Sequence, residues 1–242
     1  MGERHILATS GGFVTTGRGS FQWRFGGLLR YALELSGKAR PRLCFVNTAS
    51  GDNDVGLRAC YAATAGESVD ASHLALFLMP NVDDVRGHLL RQDVIWVGGG
   101  SVANLLCLWR LHGVDEIMAE AWERGVVLAG VSAGSVCWHL GGCTDSFGPK
   151  LRPVTNGLGF LPYGNGVHYD SELERRPVLR QMVRDKELPD SYATDDGVGL
   201  HYVGTEMAEA VAEVPGRSAW HLEPDGDGGV TEIALETRLL KS

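Results

Sequence analysis

Short apolar runs, each stopping at a small or Gly-rich turn, restrict the fold of this chain more than any other feature. "HILATS" (5–10), "RLCFVNT" (42–48), "HLALFLM" (73–79), "DVIWVGG" (93–99) and "VVLAG" (126–130) read as strands. Between them, "RFGGLLRYALEL" (24–35), "VGLRACYAATAG" (55–66) and "VANLLCLWRLHGVDEIMAEAWERG" (102–125) read as helices, the last broken at Gly113. Such alternation is the pattern of an α/β fold, a mostly parallel sheet with helices on both faces. The turns "TSGG", "NTASGD", "VGGGS" and "GVSAGS" then lie at the carboxyl ends of strands. The ligand crevice of an open parallel sheet lies there, so the turns are expected to converge on one site. After Gly141 the alternation weakens into Gly, Pro and short strands, with one helix near "ERRPVLRQMVRDKEL" (174–188). No linker, repeat or low-complexity tract intervenes, so a single α/β domain over 1–242 is expected.

The sharpest of these corners carries a serine. "GVSAG" fits G-x-S-x-G, a strand-to-helix turn that lifts a serine hydroxyl clear of the sheet, with glycines where side chains would collide with the neighbouring strand and helix. A helix starting near Ala133 and carrying Trp138 and Leu140 would aim unsatisfied N–H groups at Ser132, a natural place for an oxyanion. The backbone N–H of Gly100 in "GGGS" (98–101) is the expected second donor, beside that of Ala133. The competing reading is a tight packing turn or a phosphate cradle.

A serine nucleophile requires a base. His5 and His73 read as strand residues, His88 and His112 as helical ones, and His139 is expected on the elbow's own helix, pointing away from the turn. His168, His201 and His221 remain. His168 ends a short extended run and enters the polar loop "HYDSELERRP" (168–177).

Together, the "GGGS" strand end with Asn104 close behind, "GVSAGS", "GGCTDSFG" and "HYD" resemble the peptidase E (aspartyl dipeptidase) family, with cyanophycinases as more distant relatives. The resemblance runs from about Val46 to about Gly204. It implies a flavodoxin-like fold related to class I glutamine amidotransferase domains, and a serine exopeptidase that removes N-terminal aspartate from dipeptides without a metal. Ser132 matches the family's nucleophile and His168 its histidine. The family's structural acid is a glutamate in a "PEG" turn. Here the matching place holds Asp196 in "TDDGVGLHY", one methylene shorter. Asp145 in "CTDSFG" matches a second acidic position, with Asp195 and Asp170 behind it. The substrate's carboxylate is expected to meet Arg175 or Arg176, and its ammonium Glu172 or Glu174.

A formal charge of −8 argues against a broad nucleic-acid or anionic-membrane surface, and the resemblance implies a small peptide as partner. Neither H-E-x-x-H nor a paired C-x-x-C occurs, and no metal or other cofactor is expected. The absence of G-x-x-x-x-G-K-[ST], and of G-x-G-x-x-G spacing in "TSGGFVTTGRGS" (9–20), weighs against a nucleotide-binding domain without chemistry. A cyanophycinase-like or β-aspartyl hydrolase is the closest enzymatic alternative. The five cysteines are odd in number and read as buried free thiols. With no leader pattern and no apolar run of spanning length, they point to the cytoplasm. Oligomeric state, self-association included, is left open.

Overall fold

A computed structural model describes residues 2–16 and 22–241, so the tail of "TSGGFVTTGRGS" from residue 17 lies outside the described residues. Four of the five expected strands fall close to their predicted places: β1 (His5–Thr9), β4 (Arg42–Val46), β6 (Val94–Val97) and β7 (Val127–Val131). The fifth, β5 (Asp70–Leu74), ends early, because the Asp52 carboxylate accepts the N–H groups of Leu76 (2.6 Å) and Phe77 (3.0 Å) that would have continued the ladder. The apolar run then leaves the sheet, and Phe77, Leu78 and Met79 are exposed.

These strands lie side by side and parallel in an eight-stranded sheet of order β16-β13-β12-β1-β7-β6-β4-β5. Here β12 (Val198–Val203) runs antiparallel to β1 and to β13 (Glu206–Ala212), and β16 (Thr237–Leu239) pairs parallel with β13. Numbered in chain order, the five parallel strands run 3-2-4-5-1. Alternate side chains point to opposite faces. Leu7, Phe45, Trp96 and Ala129 pack with α1 (Gly27–Leu35) and α2 (Asp54–Ala63). Ile6, Val46, Ile95 and Leu128 pack with α3 (Val85–Leu90), α4 (Val102–His112) and α5 (Val114–Glu123). Gly113 breaks the long helical stretch as expected, in the left-handed region at φ 67°. The start of the first helical stretch differs, since β3 (Trp23–Phe25) pairs with β2 (Phe13–Thr15) before α1 begins.

The largest departure follows the serine corner. The helix α6 (Ala133–Val136) is a single turn, and His139 and Leu140 belong to a strand, β8 (His139–Thr144). A Cβ on Gly141 would lie 1.9 Å from the Val154 carbonyl oxygen, and one on Gly142 2.4 Å from that of Asn165. The glycines therefore let neighbouring strands close on both sides of β8. Those neighbours are β9 (Arg152–Val154) and β10 (Leu161–Gly166), in a second sheet of order β15-β14-β11-β10-β8-β9. Its other members are β11 (Ser191–Thr194), β14 (Ala219–Pro224) and β15 (Val230–Leu235), and α7 (Arg175–Arg184) packs on it through Leu179, Met182 and Val183. Trp138, Leu161 and Ala219 share one core with Trp109 of α4, so apolar packing is continuous between the two sheets. Of the cysteines, all are free and four are buried, but Cys107 is exposed on α4. No helix among the described residues is long and apolar enough to cross a membrane.

His139 is fully buried. Its Nδ1–H donates to the Ser135 carbonyl (2.9 Å) and its Nε2 accepts from the Tyr202 hydroxyl (3.3 Å). Burial pushes its pKa from 6.5 down to about 4. Between those values the unfolded chain binds the proton and the folded one does not, so stability is full above pH 6.5 and falls as the pH drops toward 4, by up to about 3 kcal/mol. Urea titrations at about pH 7.5 and about pH 4.5 should show this loss in the wild type and a smaller one in His139→Gln. Equal losses would remove His139 as the cause.

Candidate active site

Ser132 alone makes the corner between β7 and α6, at φ 57° and ψ −114°. Holding a residue with a Cβ there costs about 1–3 kcal/mol, and such strain persists only where its surroundings enforce it. The elbow glycines are required by packing. A Cβ on Gly130 would lie 2.4 Å from the Gly134 carbonyl oxygen, and one on Gly134 2.2 Å from that of Val97.

The end of β1 gathers the other groups. The Ser132 N–H donates to the Thr9 carbonyl (3.0 Å), and the His168 N–H donates to the next residue's hydroxyl, Ser10 Oγ (3.1 Å). The Gly197 N–H donates to the Ser10 carbonyl (2.8 Å), which brings the Asp196 turn to the same place. Ser135 Oγ, in α6, also donates to Asn165 Oδ1 (2.9 Å), in the strand that leads to His168. Like Ser132, His168 is held at positive φ, 54°.

The imidazole Nδ1 of His168 lies 2.6 Å from Asp196 Oδ1. A carboxylate only accepts, so Nδ1 carries the proton and Nε2 presents a lone pair. Neither Nε2 nor Ser132 Oγ bonds a protein group among the described residues. The N–H groups of Ala133, Gly99 and Gly100 likewise have no protein acceptor there. A Cβ on Gly99 would lie 3.2 Å from Ser132 Cβ, so this loop runs against the serine. Gly100, at φ 136°, packs on the Ala49 carbonyl. The four turns expected to converge do meet.

The remaining acids divide by their bonds. Asp195 accepts from the Ser218 N–H (2.9 Å) and the Trp220 indole (3.0 Å). Asp170 accepts the Asp196 N–H (2.8 Å) with one oxygen and pairs with Arg217 through the other. Asp145 sits exposed in the turn after β8 and makes no bond to His168. Both expected arginines are engaged within the protein. Arg175 is buried, with its guanidinium on Glu172 Oε2 and the Cys143 carbonyl (2.7 Å each). Arg176 is half exposed, pairs with Glu232 (3.1 Å) and stacks on Trp220. Glu174 caps no N–H at the start of α7.

Sequence reasoning missed Ser10, the Asp170–Arg217 pair, and a cavity of about 580 Å³ beside Asp196 lined by Ser10, Gly11, Arg24, Arg217 and Glu213. Arg24 has no partner among the described residues. Glu213 accepts the N–H groups of Gly12 and Leu28 (3.0 Å each), and burial raises its pKa. The turn "TSGG" signalled Ser10's location, but nothing local marks Arg217 or Glu213. As for metals, one group among the described residues, Asp190, His221 and Glu223, brings ligand atoms within 4.8 Å of one another, and none of the three belongs to this site.

A strained serine corner, a histidine poised by a carboxylate and open backbone donors are the parts of a hydrolase. The sequence model of Peptidase family S51 matches residues 7–210, and the chain belongs to that family. It is 40% identical over 211 residues to "Uncharacterized peptidase YgaJ" of Bacillus subtilis (strain 168), covering 87% of this chain and 90% of that one. The fold is similar to that of a Listeria monocytogenes EGD-e protein that carries the peptidase E name provisionally. That match has a TM-score of 0.60 at 15% identity, over 97% of this chain and all of the other. A peptidase from an acI-B1 Actinobacterium matches with a TM-score of 0.59 at 15% identity, over 95% of this chain and 98% of its own.

Proposed function

We propose that the protein is a serine exopeptidase that hydrolyses dipeptides with N-terminal aspartate, using Ser132, His168 and Asp196. The observation that carries this is the 2.6 Å bond from His168 Nδ1 to Asp196, on a histidine tied through Ser10 to the same turn as Ser132. His168 Nε2 takes the Ser132 proton as Oγ attacks the scissile carbonyl, and the Ala133 and Gly100 N–H groups hold the tetrahedral oxyanion. The imidazolium then gives its proton to the leaving amine. In deacylation the now neutral imidazole draws a proton from water as its oxygen attacks the acyl carbon, and returns that proton to Ser132 Oγ as the ester bond breaks. Asp196 keeps the proton on Nδ1 and stabilises the imidazolium. The bonded partners of Arg175 leave it little to offer a substrate. Arg176, or Arg24, which lines the same cavity as Arg217, is the cation for the aspartyl carboxylate. Buried thiols such as Cys60, pushed up to about 11 by burial, suit a reducing compartment, and we place the protein in the cytoplasm.

The test is amine release from Asp-Leu, Glu-Leu, Leu-Leu and β-Asp-Arg with a chelator present. Release from Asp-Leu above all the others is the expected result, and preference for β-Asp-Arg would move the substrate to a β-aspartyl polymer. Silence on every peptide, with no labelling of Ser132 by a serine-reactive phosphonate, would instead favour a binding domain without chemistry.

A further inference from the structure

A second cavity, of about 160 Å³, opens against the serine's own neighbours, Val131 and Gly99. Its largest walls are Phe13, Trp23 and Trp96, and the uncharged polar residues Asn47, Ser50 and Asn53 also line it. The aromatic rings brace one another, Phe13 standing 5.1 Å from Trp23 and 6.1 Å from Trp96 between ring centroids. Among the described residues its one titratable wall residue is Cys60, which burial keeps neutral. A charged side chain entering here would lose its hydration with no opposite charge to meet among the described lining residues, a cost of several kcal/mol. An apolar one would lose only water, and an apolar cavity of about 150 Å³ is large enough for a benzene ring. The wide cavity on the Asp196 side is the opposite in character, with Arg24, Arg30, Arg217 and Lys241 among its walls.

We infer that this aromatic-walled pocket receives the side chain of the residue that leaves, so that the preferred substrate joins an acidic first residue to an apolar second one of leucine or phenylalanine size. This rests on the aspartyl reading above, which assigns the acyl side of the scissile bond to an acidic residue. The chemistry of the pocket walls supplies the choice on the other side. Burying a leucine or phenylalanine side chain rather than none should strengthen binding by about 10- to 100-fold.

The experiment is calorimetric titration of the Ser132→Ala protein, in which peptides stay intact, with Asp-Leu, Asp-Phe, Asp-Gly, Asp-Lys, Gly-Phe and Phe-Gly. Asp-Leu and Asp-Phe should bind at least about 10-fold more tightly than Asp-Gly and Asp-Lys. In a Trp23→Ala background, with its melting temperature checked, the ratio of Asp-Phe to Asp-Gly affinity should fall toward one. Equal affinity for all Asp-X peptides would overturn the pocket assignment and leave the aspartyl reading standing. Tight binding of Gly-Phe with no gain from aspartate would support the pocket and overturn the aspartyl reading. Preference for Phe-Gly over Gly-Phe, or no binding by any peptide, would overturn the pocket assignment itself.

Discussion

Replacing Ser132 by alanine is expected to lower dipeptide turnover by about 10⁴- to 10⁶-fold, the range seen when a triad nucleophile is removed. The fold should survive, because the hydroxyl bonds no protein group among the described residues and the N–H to Thr9 is kept. Ser132→Gly gives a second view of the same corner. It should be equally inactive yet more stable by about 1 kcal/mol or more, since glycine removes the Cβ held at φ 57°. Progress curves and thermal melts on the three proteins would check both halves. Turnover within about 10-fold of wild type in Ser132→Ala would end the nucleophile assignment.

The second large effect belongs to the acid. Asp196→Asn places an amide where the carboxylate accepts from His168 Nδ1. An amide that donates there forces the proton onto Nε2, and an imidazole protonated at Nε2 cannot take the serine's proton. A fall in kcat of about 10⁴-fold is expected, with KM little changed. Asp145→Ala, whose carboxylate is exposed in the turn after β8, should stay within a few-fold of wild type. The reverse ranking, in folded proteins, would mean that the His168–Asp196 bond is not the one that matters in the reaction.

The parallel strands, the Gly113 break and the serine corner were legible because each depends on local chemistry: alternating burial, a left-handed glycine, and small residues where a helix starts against a strand. The meeting of His168 with Asp196 was legible through their motifs. The strand after α6 was not, because Trp138 and Leu140 carry no helix-breaking signal and the decisive fact is the close approach of Val154 and Asn165 to Gly141 and Gly142. The overlong fifth strand failed for a similar reason, since its N–H groups go to a carboxylate more than twenty residues upstream. Arg175 looked available for substrate because a sequence shows a charge and not the Cys143 carbonyl that occupies it. Arg217 and Glu213 reach the site from the connection between β13 and β14, far along the chain, and no spacing rule connects them to Ser132.

The bonds from Thr9 and Ser10 have a consequence for how the enzyme tolerates motion. Ser132 hangs from the larger sheet and His168 follows a strand of the smaller one, so any sliding of one sheet over the other would ordinarily change the distance between them. Both instead take their position from consecutive residues of the N-terminal strand. That strand serves as a common datum, and a displacement of it would carry Ser132 and His168 together. The Ser10 hydroxyl thereby fixes where His168 stands relative to Ser132, so the spacing of those two side chains is set by a third residue at the end of another strand.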